Sequence, residues 1–198
     1  MTAQTALTHR PVLADRVLPI PSLARDLALV VMGTAALTLI SQVSIPLPFT
    51  PVPLTLGTFG ALLVGASLGP ARGIAATGLY ALLAAFGAPV LAGWSSSGLL
   101  TASFGYVIGY VLAGAALGYA ARRGADRSAS RTALAAIGAT ALVYVAGLPW
   151  LALSAGLGLA DTLTMGLLPF IVGDVIKAVA ASALLPGAWA LLGEKRRD

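Results

Sequence analysis

The chain contains no cysteine and only one histidine, His9, in a polar N-terminal stretch. Disulfides, thiol nucleophiles and thiolate metal sites are excluded, and an intramembrane His–Ser or His–metal centre has no histidine to use. Charge is scarce as well: 10% of residues are Asp, Glu, Lys or Arg, against about 25% in soluble proteins. No Walker-type phosphate loop occurs, and Gly156-Leu-Gly158 lacks the strand context of a dinucleotide site, so any ATP hydrolysis belongs to a partner. The stretch Gly93-Trp-Ser-Ser-Ser-Gly98 has the wrong glycine spacing for a serine-hydrolase elbow. The sequence therefore reads as neither an enzyme nor a metal or cofactor protein.

What the chain has in abundance is apolar surface. Hydrophobic residues make up 58% of it and the mean hydropathy is +0.92. A spanning helix needs about 20 mainly apolar residues, so a chain of 198 has room for about six. Apolar runs fall at 27–45, 54–68, 74–90, 105–121, 132–153 and 167–192, predicting an all-α, polytopic membrane protein with a single six-helix bundle. The first run is too long for a secretory signal. Between the runs lie four prolines from Pro46 to Pro53, which make a stiff loop, and a hinge at 69–73. An uncharged Gly/Ser-rich stretch follows at 91–104, then a solvated turn at 122–131 and a Gly-rich link through Asp161. Residues 12–23 have the makings of a short interfacial helix, broken or abolished by Pro19 and Pro21.

Orientation follows from the basic residues, which cytoplasmic loops retain. With six spans, Arg10, Arg16, Arg25, Arg72, Arg122, Arg123, Arg127, Arg131, Lys195, Arg196 and Arg197 all fall on one side, and the loops on the other side hold no Lys or Arg. Both termini are expected in the cytoplasm of a bacterial cell, with 1–26 as an interfacial segment, 27–192 as the transmembrane domain and 193–198 as a tail. The +5 net charge is thus a topology signal, facing the lipid bilayer and not nucleic acid.

Asp174 and Lys177 interrupt the last apolar run, where each ionised group costs several kcal/mol unless it is paired or faces a polar cavity. At i and i+3 they share a helix face. Counting about 1.5 Å per residue from Leu167 puts them roughly 10–15 Å below the outer end of the helix. A cation suits a carboxylate and an anion suits N–H donors, so the pair points to a small amphiphile carrying both; the bland alternative is a structural lock. Trp94 and Tyr106 read either as interfacial aromatics or as walls of a ligand pocket. Glycines spaced by four, at Gly65, Gly69 and Gly73, at Gly105 and Gly109, and at Gly114 and Gly118, read as helix-packing stripes.

These residues resemble a known family. The segments Pro53-Leu-Thr55-Leu56, Leu68-Gly69-Pro70-Ala-Arg72-Gly73, Tyr80, Gly87-Ala-Pro89-Val90, Ala92-Gly93, Gly98, Gly105-Tyr106-Val-Ile-Gly109 and Gly173-Asp174-Val-Ile-Lys177 are similar, in order and spacing, to BioY, the biotin-specific substrate-capture (S) components of energy-coupling-factor transporters. Gly57 departs from the family pattern, which often has Gln after Thr-Leu, and Leu91 stands where Phe often follows Pro-Val. The resemblance implies high-affinity biotin uptake, with the loops at 46–53 and 91–104 closing over the vitamin. It implies a substrate site of Asp174, Lys177, Tyr106, Trp94, Gly93 and Thr55. It also implies a transmembrane coupling protein and ATPase subunits as partners, for which a small-residue stripe of Ala24, Ala28, Met32 and Ala36 offers a docking face. Rival expectations are an S component for another vitamin, a stand-alone biotin carrier, or a ligand-free membrane assembly protein.

Overall fold

A computed structural model describes residues 10–193; His9 and the tail that carries Lys195, Arg196 and Arg197 lie outside them. Among the described residues the chain is mainly helical, with eight α-helices: α1 (Leu13–Val17), α2 (Leu23–Ser41), α3 (Gly57–Leu68), α4 (Pro70–Ala85), α5 (Phe104–Arg122), α6 (Ala129–Ala155), α7 (Leu159–Gly166) and α8 (Ile171–Leu191). Four stretches are long and apolar enough to cross a bilayer: α2, α5, α6, and α7 continued into α8, which together run 33 residues from Leu159 to Leu191. The segments expected as second and third spans form the 12-residue α3 and the 16-residue α4.

Boundaries moved where local chemistry overrode hydropathy. Ser22 accepts a hydrogen bond from the Arg25 N–H at 3.1 Å and starts α2 four residues before the expected run, and Pro19 and Pro21 end the interfacial helix at Val17. The expected hinge at 69–73 narrows to Gly69, whose φ of +80° lets the chain reverse, and Pro70 opens α4 with its ring pre-set for a first helical position. The proline-rich loop is closed at its base by an antiparallel pair, β1 (Ser44–Ile45) with β2 (Leu54–Thr55). Leu159–Gly166 is a helix where a Gly-rich link was expected, its start marked by Thr162 donating to the Gly158 carbonyl at 2.8 Å.

Helix α5 packs against α3, α4 and α6, and α8 closes the bundle against α6 and α3. The glycine stripes are the contact surfaces: a Cβ on Gly65 would lie 2.3 Å from the Gly114 carbonyl oxygen, and one on Gly118 would lie 2.8 Å from that of Gly65. Backbone touches backbone there, without side chains between.

Two polar clusters tie the bundle at the end where Arg10, Arg72 and Arg122 meet. Arg72, 8% exposed, bridges Asp15 at 2.6 Å and Asp26 at 3.3 Å, joining α1 and α2 to α4. Burial pushes the Asp15 carboxyl up, but hydrogen bonds from Arg72 and the Val12 N–H, with the positive charge of Arg72 and Arg122, hold it below the ordinary carboxylate value. In the second cluster the Trp189 indole donates to Asp126 at 2.6 Å while the Arg127 guanidinium stacks on the same ring at 4.1 Å. Asp126 is 1% exposed while Arg123, Ser130 and Arg131 face outward, so the segment 122–131 is only in part the solvated turn its composition suggests. It is a latch for the far end of α8.

Candidate functional site

Every long helix sends polar side chains into one cavity of about 620 Å³ of empty space, its open mouth included. Ser41 of α2, Thr55 and Thr58 around the start of α3, and Tyr80 of α4 line it. Tyr106 and Tyr110 of α5, Thr140 and Tyr144 of α6, and Asp174 and Lys177 of α8 line it as well. Four of the chain's five tyrosines therefore face this space, in a protein otherwise poor in polar residues. Leu91 and Ala92 from the Gly/Ser-rich loop also border it, beside Val52 and Pro53 from the proline-rich loop.

Asp174 and Lys177 come together as spaced, Nζ donating to Oδ1 at 3.1 Å with side chains 13% and 7% exposed. The other carboxylate oxygen accepts from the Tyr144 hydroxyl. An ion pair this buried needs such extra partners to offset its lost hydration. Tyr106 stands against Tyr144 edge to face, with centroids 6.1 Å apart, and donates to the Gly166 carbonyl at 2.8 Å. That bond puts α7 into the framework of the site. Thr55 Oγ1 accepts from the Gly57 N–H at 3.1 Å and lies 3.5 Å from the Tyr110 hydroxyl.

Gly57 makes room for a tyrosine of the site. A Cβ there would lie 2.5 Å from the Tyr110 hydroxyl, so with Tyr110 in this pose no larger side chain fits. Gly147 and Gly166 make the same room for Tyr106, whose ring and hydroxyl would meet their added Cβ atoms at 2.7 and 2.6 Å.

Of the six expected site residues, Asp174, Lys177, Tyr106 and Thr55 line the cavity. Gly93 and Trp94 do not. Both have positive φ, at 67° and 56°, in a loop fastened by Gln42, whose Oε1 accepts from the Trp94 N–H at 3.0 Å and whose Nε2 donates to Thr38 and Val90. The Trp94 ring lies over a groove between α2 and α4, beside Thr34, Thr38 and Leu83. Ala24, Ala28, Met32 and Ala36 are all exposed on α2. Sequence reasoning missed Tyr110, Tyr144, Thr58 and Thr140; the available signal was a hydroxyl inside an apolar run, with Tyr110 one turn after Tyr106.

Comparison with known proteins gives a consistent picture. The BioY family profile matches residues 6–194. The probable biotin transporter BioY of Pyrococcus horikoshii is 34% identical over 158 residues, covering 80% of this chain and 92% of its own length. The biotin transporter BioY of Rhizobium etli is 35% identical over 172 residues, covering 81% and 90%. Among solved structures, the S-component for biotin from an ECF-type ABC transporter superposes with a TM-score of 0.73 at 26% identity, covering 87% of this chain and 93% of that one. Matched along nearly its whole length, the chain is a multi-pass membrane protein that belongs to the BioY family.

Proposed function

We propose that this protein takes up biotin as the S component of an energy-coupling-factor transporter; it is a transport subunit and not an enzyme. The observation that carries the reading is the Asp174–Lys177 pair on a buried, tyrosine-lined cavity in a chain of this family. Biotin presents a ureido group with N–H donors and a carbonyl acceptor, an apolar ring and chain, and a carboxylate. Asp174 suits the ureido N–H groups, Lys177 suits a carbonyl or carboxylate oxygen, Tyr106 and Thr55 add hydroxyls, and the aromatic rings cover the apolar body. Gly93 and Trp94 belong to the loop that, with 46–53, closes the mouth.

Six crossings, formed by α2, α3, α4, α5, α6 and the joined α7 and α8, put both termini on the cytoplasmic side. In this division 1–26 is an interfacial segment, 27–192 the substrate-binding bundle and 193–198 a tail. One-sided basic residues support this, as do contacts that gather them: Arg72 with Asp15, Arg122 with Arg10, and Arg127 with the Pro11 carbonyl. A coupling protein and ATPase subunits supply the energy, and the exposed stripe of Ala24, Ala28, Met32 and Ala36 is their docking face.

The test is retention of labelled biotin by detergent-purified protein through size-exclusion chromatography. One biotin per chain is expected, displaced by unlabelled biotin and not by other water-soluble vitamins. Absence of binding, or equal retention of another vitamin, overturns the reading.

A further inference from the structure

Threonines in membrane helices usually return their hydroxyl hydrogen to the carbonyl four residues back, because hydrocarbon offers nothing better. Among the described residues six helical threonines do so: Thr34, Thr38, Thr77, Thr132, Thr162 and Thr164 donate to the carbonyls of Val30, Thr34, Gly73, Ser128, Gly158 and Ala160. Thr140 does not. Its side chain lines the cavity, the residue is 5% exposed, and its Oγ1 has no hydrogen-bond partner among the described residues. An unpaired buried hydroxyl costs stability. The local bond that would remove that cost is the one the other six make, so the position retains a free hydroxyl at the expense of the fold.

Its place on α6 indicates what the hydroxyl meets. Tyr144 lies one turn further on the same face and donates to Asp174. Thr140 therefore borders the part of the cavity where a carboxylate acceptor and an ammonium donor already stand together. A neutral hydroxyl that both donates and accepts complements a ring-bound urea, whose N–H and C=O edges adjoin each other.

We propose that Thr140 is a specificity-determining contact, its Oγ1 hydrogen-bonding the ureido edge of the ligand beside Asp174. The proposal rests on the biotin reading above. Thr140→Val keeps the shape of the side chain and removes the hydroxyl; Thr140→Ser keeps the hydroxyl. With Thr140→Val, biotin binding weakens about 10-fold or more, because a buried ligand group loses its partner, while melting without ligand is unchanged or raised. Thr140→Ser stays within about threefold of wild type.

Two analogues locate the contact. 2-Iminobiotin alters the ureido carbonyl, and biotin methyl ester alters the carboxylate. Thr140→Val narrows the wild-type preference for biotin over 2-iminobiotin and leaves the biotin to methyl-ester ratio unchanged. Wild-type biotin affinity in a folded Thr140→Val protein overturns the inference, as does a change confined to the methyl-ester ratio. Failure of the wild-type protein to bind biotin at all sinks the biotin reading instead, so the two failures are distinguishable.

Discussion

The Tyr144 hydroxyl on α6 donates to the carboxylate of Asp174 on α8, whose other oxygen accepts from Lys177 at 3.1 Å. Both oxygens of a membrane-embedded carboxylate are thus engaged before any ligand arrives, which holds it oriented. Removing either charge of the pair leaves the other buried and uncompensated. Lys177→Ala and Asp174→Ala should each destabilise the protein by about 3–5 kcal/mol, while the double mutant recovers most of that loss. Biotin binding should be lost in all three. A double-mutant cycle scored by detergent melting and by binding checks this, and near-wild-type affinity in a folded double mutant would remove both residues from the site.

Gly57 should tolerate no side chain. Its added Cβ would meet the Tyr110 hydroxyl at 2.5 Å and ring carbons at 2.9 Å. Gly57→Ala is expected to cost about 1–3 kcal/mol by overpacking and to weaken binding by displacing a cavity wall. Tyr110→Phe in the same chain should rescue it only partly, since the ring contacts persist. Full rescue in a melting experiment would contradict this packing account.

The Asp15–Arg72 bridge predicts an acid limb of stability. Asp15 is held below the ordinary carboxylate pKa of 3.8, so its contribution is complete above that value and fades as the pH falls through its lower folded value. Asp15→Asn should lower stability by about 1–3 kcal/mol near neutral pH and flatten the melting temperature profile at the acid end. A variant with an unchanged acid limb would assign that limb to other carboxylates.

Topology can be read by labelling. Ser96→Cys in the 91–104 loop should react with an impermeant thiol reagent on intact cells, and Ser128→Cys only after permeabilisation. The chain has no cysteine of its own, so no background needs removing. The reverse pattern would invert the bundle. Bound biotin should also slow hydrogen exchange in both 46–53 and 91–104; no protection in either would defeat the closing-loop assignment.

Legibility followed free-energy scale. Long apolar runs and two stray charges are written in sequence because misplacing any of them costs several kcal/mol. Asp174 and Lys177 were therefore visible, and the ends of α5 came within a residue of expectation. Tyr110 and Tyr144 were not, because a tyrosine inside an apolar run fits lipid interface, core and pocket equally well. The α7 helix hid behind Gly156, Gly158 and Asp161, which read as a link, whereas Gly156 ends α6, Gly158 precedes the first residue of α7 and Asp161 lies in its first turn. Trp94 sits over the α2–α4 groove because Gln42, far away in sequence, bonds its backbone.

Helix α3 has 12 residues and reaches about 18 Å, against the roughly 30 Å of a bilayer core. Nine of its residues are buried, enclosed by longer helices, so lipid never measures its length. Its first turn, at Gly57 and Thr58, stops inside the bundle at the cavity. Two more turns of ordinary helix would occupy the space where a guest molecule must sit. The receptacle is in this sense a truncation: a column missing its upper third, with neighbours that keep the height it gave up.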